Sequence, residues 1–596
     1  MSTVNEKIAK LREVMKERNI FAYYIPSSDF HESEYVGSYF KSREFVSGFT
    51  GSAGLVVVTQ EEAILWTDGR YFIQAEQEIE GTELVLFRQG EKDVKTPKKY
   101  LEKVMPNGSK LGFDGRVINA KEGLDFEKVL SKKEVTISYN EDLVDLIWEN
   151  RPELPKEKSF LLDVKYAGKS TSEKLVELRK EMKKKKSTSH ILTTLDDIAW
   201  LYNFRGRDIK FSPVTLAYSV ITESEAVLFV DKSKLSEEIC AEFAKDNVEV
   251  KAYNDIYEYV KNIEGAVLVD LERMNYAIYK NLPKDVTKVK AQNPTILSKA
   301  IKNSVEIENI RNSHLKDGVA CTKFMIWLKQ NIGKTTITEI TAAQKMEELR
   351  KEQDLFIEPS FNTISAYKDH AAMMHYSATE QNQYTLEPEH LYLIDSGGQY
   401  FDGTTDITRT IALGEVDEEI KKHFTAVVRG MLTLSNARFL HGVRGLNLDI
   451  LARKPLWDMM LDYRCGTGHG IGFLLNVHEA PNGFRWKIVP ERNDSCELEV
   501  GMVTTNEPGV YVGGSHGIRI ENELIVQELE NNEYGQFLHF ETVTFAPIDL
   551  DAINPKYMNE EEKQMLNNYH KQVFEKISPF LSSEEQEILK GYTKEI

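Results

Sequence analysis

The sequence predicts an α/β (α+β) chain in which two related α/β domains precede a strand-rich third region, and three observations carry that expectation. The first is length: 596 residues exceed what a single core can serve and set a prior of roughly three or four domains. The second is an internal echo, in which EKIAKLREVMK at 6–16 returns as EKLVELRKEMK at 173–183, matching Glu6 with Glu173, Leu11 with Leu178, Arg12 with Arg179 and Met15 with Met182. The third is a change of texture near residue 300, after which one helical stretch gives way to strands and Gly-rich turns up to about residue 530.

In chain order, each echoed segment has apolar residues at helical spacing and is followed by a short apolar strand, FAYYI in the first copy and HILTT in the second. Further on, EEAILWTDGRYF and SEAVLFVDKSKL each read as a strand running into an Asp-initiated turn and a helix. A repeated helix alone would be chance; a helix and a later strand at nearly one offset indicate a duplicated α/β domain. The proline-punctuated, charged stretch ENRPELPKEKS is the expected linker. The third region opens near SKAIKNSVEIENIRNSHLKDGVACTKFMIWLKQ, where Ile307, Ile310, Val319 and Phe324 fall at helical spacing. The tail NEEEKQMLNNYHKQVFEKISPFLSSEEQEILKGY is helical in pattern, and the run KKKK at 183–186 reads as a solvated helix face.

Composition narrows the function. With 75 basic and 94 acidic residues the net charge is −19, which argues against a general nucleic-acid or anionic-membrane binder. MSTVNEKIAKLREVMKERNI has no signal-peptide apolar region, and no apolar run is long enough to span a bilayer, so a cytoplasmic protein is expected. Cys240, Cys321, Cys465 and Cys496 show neither paired spacing nor a zinc pattern, and reduced thiols are expected.

The chemistry gathers in the third region. In LYLIDSGGQYFDGTTDITRT, alternation puts Leu391, Leu393 and Asp395 on one strand face and Asp406, Thr408 and Thr410 on one face of the next, with a glycine-rich centre able to fold the two together as a hairpin. Unpaired charge costs several kcal/mol to bury, so these aspartates must meet a cation or water. Further on, GTGHGIG holds His469, NVHEAP holds His478, TTNEPGVY holds Glu507, and HGIRIENELIV holds Glu521 on the strand face of Arg519. Singly, each could cap a turn, satisfy a core hydrogen bond or face solvent. A phosphate loop at GTGHGIG lacks a P-loop lysine and a clear following helix. Four carboxylates and one imidazole are instead an oxygen-dominated set suited to manganese, magnesium, iron or cobalt. Their charge matches two divalent cations roughly 3.5–4 Å apart with a hydroxide between them.

DSGGQYFDGTTDITRT, GTGHGIGFLLNVHEAPNG, TTNEPGVY and GIRIENE resemble the five-ligand signature of the pita-bread metallopeptidases. EFVSGFTGSAG, LWTDGRYF, LDDIAWLYNFRGRDI, SFNTIS with MMHY, and LNNYH extend the likeness nearly end to end, to the long three-domain form of the aminopeptidase P (Xaa-Pro aminopeptidase) family. The resemblance implies creatinase-like α/β domains at 1–157 and 158–300, and a pita-bread catalytic domain at 301–596 with a helical C-terminal extension from about 536. It implies a metallo-aminopeptidase that uses a metal-activated hydroxide on peptides with proline in the second position, two divalent ions with manganese the first choice, and a homodimer. Asp395, Asp406, His469, Glu507 and Glu521 would be the ligands, with Asp406 and Glu521 bridging and His469 and Glu507 on the first metal. The catalytic set would be Glu507 as proton carrier, His375 and His478 lining the substrate, and Arg519 holding a ligand carboxylate. The family usually has a histidine four residues before the metal histidine, where this chain has Cys465, which is read as a packing residue. Two rivals remain: a prolidase acting on dipeptides, and a catalytically dead pita-bread module that binds peptides.

Overall fold

A computed structural model describes residues 3–489 and 492–596. The chain divides into two compact units, one comprising Met1–Leu161, Ser170–Lys210 and Val214–Thr295, the other Leu162–Lys169, Phe211–Pro213 and Ile296–Ile596.

The first unit carries the duplication. The echoed segments are the helices Val4–Glu17 and Thr171–Lys184, each opened by a capping box, Thr3 with Glu6 and Ser170 with Glu173, which satisfies the free N–H groups of the first turn. Two six-stranded sheets share one topology. In order they run Leu84–Arg88, Ala63–Thr67, Leu55–Thr59, Ala22–Pro26, Lys110–Gly112 and Thr136–Ser138, and then Val248–Lys251, Ala226–Val230, Ala217–Thr222, Ser189–Leu192, Ala266–Val269 and Thr287–Lys290. In both, the central three strands are antiparallel and the outer pairings parallel. The matched arginines do the same work: Arg12 Nε donates to Thr59 O at 2.8 Å and Arg179 Nε to Thr222 O at 2.9 Å, each tying the first helix to the end of a central strand.

The second unit wraps strands around the candidate site. The helical spacing read around Ile310 and Phe324 is the 28-residue helix Ser304–Asn331, started by an Asn303 capping box. A three-stranded sheet holds Ile364–Tyr367, Leu391–Ser396 and Ile407–Ala412. A six-stranded sheet runs Arg438–Leu440, Gly535–Thr542, Asn522–Asn532, Val503–Asn506, Gly468–Gly470 and Glu479–Phe484. The helix Glu418–Ser435 packs Phe424, Val427, Val428 and Met431 against Val510, Ile518 and Ile520, all nearly inaccessible to water, and this apolar support fixes the backbone under the site.

The expected hairpin forms, since Leu391–Ser396 and Ile407–Ala412 pair antiparallel, and its Gly-rich centre adds a second short pair, Gly398–Tyr400 with Gly403–Thr404, in a separate sheet with Phe356–Pro359. The reason is crowding, since a Cβ on Gly397 would lie 1.8 Å from Thr405 O, so the strands cross too closely to continue as one ribbon. One local expectation is corrected: Glu521 is not within a strand. His516–Arg519 pairs with Gly509–Val512, Asn522–Asn532 belongs to the six-stranded sheet, and Glu521 sits between them. Its N–H donates to Thr408 O at 3.1 Å and its carbonyl accepts from Arg409 Nη1 at 2.6 Å, so the chain changes sheet there without losing backbone hydrogen bonds.

Arg409 also locks the tail. Buried, it donates to Pro547 O at 3.0 Å, Asn522 Oδ1 at 2.8 Å and Tyr569 Oη at 2.8 Å. Tyr569, from the helix Glu560–Ile577, donates in turn to Ala546 O at 2.9 Å, while His570 Nε2 accepts from Ile548 N at 3.2 Å. Tyr569→Phe removes one of three acceptors around Arg409 Nη2 and the hydroxyl that donates to Ala546 O, and is expected to lower stability by about 1 kcal/mol, read as an earlier denaturant midpoint of the second unit.

Candidate metal centre

The site is assembled where three pieces of sheet meet. Register in the Leu391–Ser396 and Ile407–Ala412 pair sets Asp395 opposite Thr408, so Asp395, Thr408 and the preceding Asp406 share one face. His469 lies on Gly468–Gly470, a strand so tightly packed that a Cβ on Gly468 would meet Thr505 O at 1.9 Å, which explains the glycines of GTGHGIG without any phosphate. Glu507 follows the neighbouring strand Val503–Asn506, and its N–H donates to Thr467 O at 2.7 Å.

These elements converge. One ligand atom each from Asp406, His469 and Glu521 lies within 4.8 Å of the others. His469 Nε2 is 3.6 Å from Asp406 Oδ2 and 3.5 Å from Glu507 Oε1. Its other ring nitrogen, Nδ1, is 2.9 Å from Gly470 O, an acceptor only, so Nδ1 carries a proton and Nε2 is the nitrogen turned toward the carboxylates. Thr505 steadies both sides: its hydroxyl accepts from His469 N at 3.0 Å and reaches Glu507 Oε1 at 3.2 Å.

The electrostatics test whether cations fit. Burial, followed by the charges of Asp395, Glu507 and Glu523, holds the Asp406 carboxyl well above the usual range despite Arg519. Burial, then Asp406, Glu507 and Asp395, does the same to Glu521 against the hydrogen bond from Thr408. Asp395 Oδ1 is buried with no hydrogen-bond partner. One guanidinium for four carboxylates cannot neutralise them, and a buried carboxylate oxygen without a donor is what a divalent ion would satisfy. The cluster of Asp406, His469 and Glu521, with Glu507 beside His469, therefore fits divalent cation chemistry.

The supporting residues are as specific as the ligands. Arg519, held strongly protonated by Tyr511, Asp395 and Glu507 against the opposing effect of its burial, donates through Nη2 to Asp395 Oδ2 at 2.5 Å and through Nη1 to Tyr511 Oη at 2.7 Å. Thr408 relays between Arg519 Nε at 3.2 Å and Glu521 Oε2 at 2.6 Å. Sequence reasoning missed Glu523 and His314. Glu523 Oε1 accepts from Asp406 N at 2.7 Å, and its Oε2 lies 2.8 Å from His314 Nε2, on the long helix. Burial opposes charge on His314, yet Glu523 outweighs it and the imidazole is raised above its ordinary value. The signal for Glu523 was available, since 519, 521 and 523 alternate in GIRIENE; none marked His314.

The remaining predicted residues lie on segments packed against these elements. His478 is exposed in the bend before Glu479–Phe484, its ring centroid 4.3 Å from that of His469. His375 is exposed in the turn after the 3-10 helix Lys368–Ala372, which lies so close to the Arg519 strand that a Cβ on Gly517 would touch Ala371 O at 1.8 Å. Cys465 is partly buried against the apolar core, and burial, with the charge of Glu507, pushes its thiol up to about 11. At neutral pH it is an uncharged packing group.

Comparison with known proteins agrees with this geometry. Family models described as creatinase/prolidase N-terminal domain match residues 7–145 and 150–306. A model of metallopeptidase family M24 matches 308–528, and one of the C-terminal region of that peptidase family matches 536–596. A probable Xaa-Pro aminopeptidase P of Laccaria bicolor is 39% identical, covering 98% of this chain and 92% of that protein. Xaa-Pro aminopeptidase 1 of Dictyostelium discoideum is 37% identical over 97% of this chain and 94% of its own. Among solved structures, the X-prolyl aminopeptidase of Caenorhabditis elegans, described as a cytosolic enzyme with a di-nuclear active site, superposes with a TM-score of 0.93 at 36% identity over 100% of both chains.

Two outcomes are expected. Asp406→Asn weakens both sites and His469→Ala mainly one, so elemental analysis finds the larger metal loss in Asp406→Asn. Raised carboxyl values in the metal-free fold mean that it binds protons more tightly than the unfolded chain, whose carboxylates titrate near pH 4. Metal-free protein therefore loses stability as pH rises from about 4 through the raised values. Bound cations remove that loss, so the difference in melting temperature between metal-loaded and metal-free protein should widen from pH 5 to pH 8.

Proposed function

Because the chain belongs to metallopeptidase family M24, with creatinase/prolidase-type domains ahead of its catalytic domain, we propose that it is a metallo-aminopeptidase hydrolysing the N-terminal Xaa-Pro bond of peptides. The observation that carries the reading is the convergence of Asp406, His469, Glu521 and Glu507 on one point, with Asp395 held beside them by Arg519. Manganese is our choice of metal on the oxygen-rich donor set. The two divalent ions, when bound, supply a water acidic enough to attack near neutral pH, an electrophile for the scissile carbonyl and an anchor for the free amine.

The chain's own residues do the rest. Glu507 is the proton carrier: partly open, with its Oε1 steadied by Thr505, it takes a proton from the attacking water and returns it to the leaving proline nitrogen. His478 and His375, exposed on two loops, line the substrate and donate to the carbonyl oxygen as it gains charge. Arg519 fixes Asp395 in a single orientation rather than touching substrate. An Xaa-Pro bond is a tertiary amide with no N–H, so a cleft that grips that N–H loses a contact, whereas a site that would hold the carbonyl oxygen instead has no need of it.

A domain boundary near 157 is supported by the paired sheets and by the segment 151–159, which has no regular secondary structure, and one near 300 by the division between the compact units at Thr295 and Ile296. A homodimer is supported by the apolar surface of Trp457 and Trp486, whose rings meet edge to face at 6.1 Å, beside Met460 at 92% exposure. A cytoplasmic location fits the absence, among the described residues, of any helix long and apolar enough to cross a membrane.

With manganese the purified protein is expected to cleave Xaa-Pro-Yaa faster than Xaa-Pro, to reject an N-acetylated peptide, and to discriminate strongly against Xaa-Ala-Yaa. Preference for the bare dipeptide would make it a prolidase; tight binding without turnover in any divalent metal would make it a binding module. His478→Ala should lose at least about tenfold in kcat/KM, roughly 1.4 kcal/mol of transition-state stabilisation, with metal content unchanged.

A further inference from the structure

Gln399 lies between Asp395 and Asp406, on the short strand Gly398–Tyr400, and is fully buried. A buried primary amide must place two donors and an acceptor, and here each is used. Its Nε2 donates to Leu475 O at 2.7 Å and to Phe211 O at 3.1 Å, and its Oε1 accepts from Thr404 Oγ1 at 2.7 Å. Thr404 Oγ1 in turn accepts from Leu475 N at 3.4 Å, so the amide and the hydroxyl grip both backbone groups of Leu475.

What they grip is the segment that delivers His478. Leu474 and Leu475 are fully buried, Gly472 N donates to Asn476 O at 3.0 Å, and the chain then emerges at His478, exposed beside His469. Leu474 (φ 45°) and Phe211 (φ 70°) both adopt left-handed backbone conformations that bulky side chains avoid. Such conformations persist only where surrounding bonds over-determine them. Gln399 binds the carbonyl of one and of the residue after the other. On the far side of His478, the buried Glu479 carboxylate is paired with Lys302 and lies 3.3 Å from Lys299 Nζ, so the segment is held at both ends.

We propose that Gln399 is a positioning residue that sets the height of the 471–478 segment, and with it the His478 imidazole, over the metal cluster, coupling the strand between two ligands to the substrate face. The proposal rests on the reading that His478 acts on substrate, and its test separates the two. Gln399→Met keeps length and removes every hydrogen bond; Thr404→Val is the milder variant should Gln399→Met fold poorly. Hydrogen–deuterium exchange of 471–478 should accelerate at least about fivefold in Gln399→Met and less in Thr404→Val, with metal content unchanged. Turnover should follow: kcat falls roughly fivefold or more with KM within about twofold, and Gln399→Met combined with His478→Ala is no slower than His478→Ala alone, because both remove one contribution. Unchanged exchange in both variants, or losses that multiply in the double variant, overturns the proposal. Faster exchange with a silent His478→Ala leaves the positioning role standing and removes the catalytic role of His478 instead.

Discussion

Like-charge crowding in a water-poor site is the constraint on which the rest of the catalytic unit depends. Asp395, Asp406, Glu507 and Glu521 face one another with a single guanidinium among them, and burial together with mutual repulsion drives the Asp406 and Glu521 carboxyls toward their neutral forms. Apolar replacements would stabilise such a spot. Its persistence makes sense if cations are the intended partners, and the sheet framework then serves to hold ligands apart at a fixed spacing until the cations arrive.

That spacing is maintained by buried donors, not by the ligands. Arg519 and Thr408 fix Asp395 and Glu521 in one network, Glu523 fixes the backbone of Asp406, and Arg409 pins the carbonyl of Glu521 while reaching the C-terminal helix through Tyr569. Each of these groups is satisfied by several backbone or side-chain partners, so none can move without leaving a buried polar atom unpaired. The acidic cluster is therefore rigid, whereas His375 and His478 are carried on exposed loops.

Much of this was legible in the sequence. The echo at 6–16 and 173–183 corresponds to two capped helices on sheets of identical strand order, because periodicity and capping residues are local properties. The clustering of the acids with His469 was legible because acids beside Gly or within apolar alternation have few innocent explanations. What escaped depends on contacts remote in sequence: His314 behind Glu523, Gln399 under Leu475, and Arg409 against Tyr569. The break at Glu521 escaped because alternation continues smoothly from Arg519 to Glu523 while the pairing partners change. The division of the hairpin between two sheets at its Gly-rich centre escaped because glycine marks a close approach without naming the neighbour.

The duplicated N-terminal sheets contribute no ligand to the cluster, yet Phe211, from the sequence of the second copy, belongs to the catalytic unit and its carbonyl accepts from Gln399. The same chain thus supplies both the carboxylate cage and part of the brace behind its substrate face. The account stands or falls on the cage. Metal-free protein titrated with manganese while hydrolysis of an Xaa-Pro-Yaa tripeptide is followed should gain activity up to two equivalents per chain and no further. Full activity at one equivalent, or with none, would contradict it.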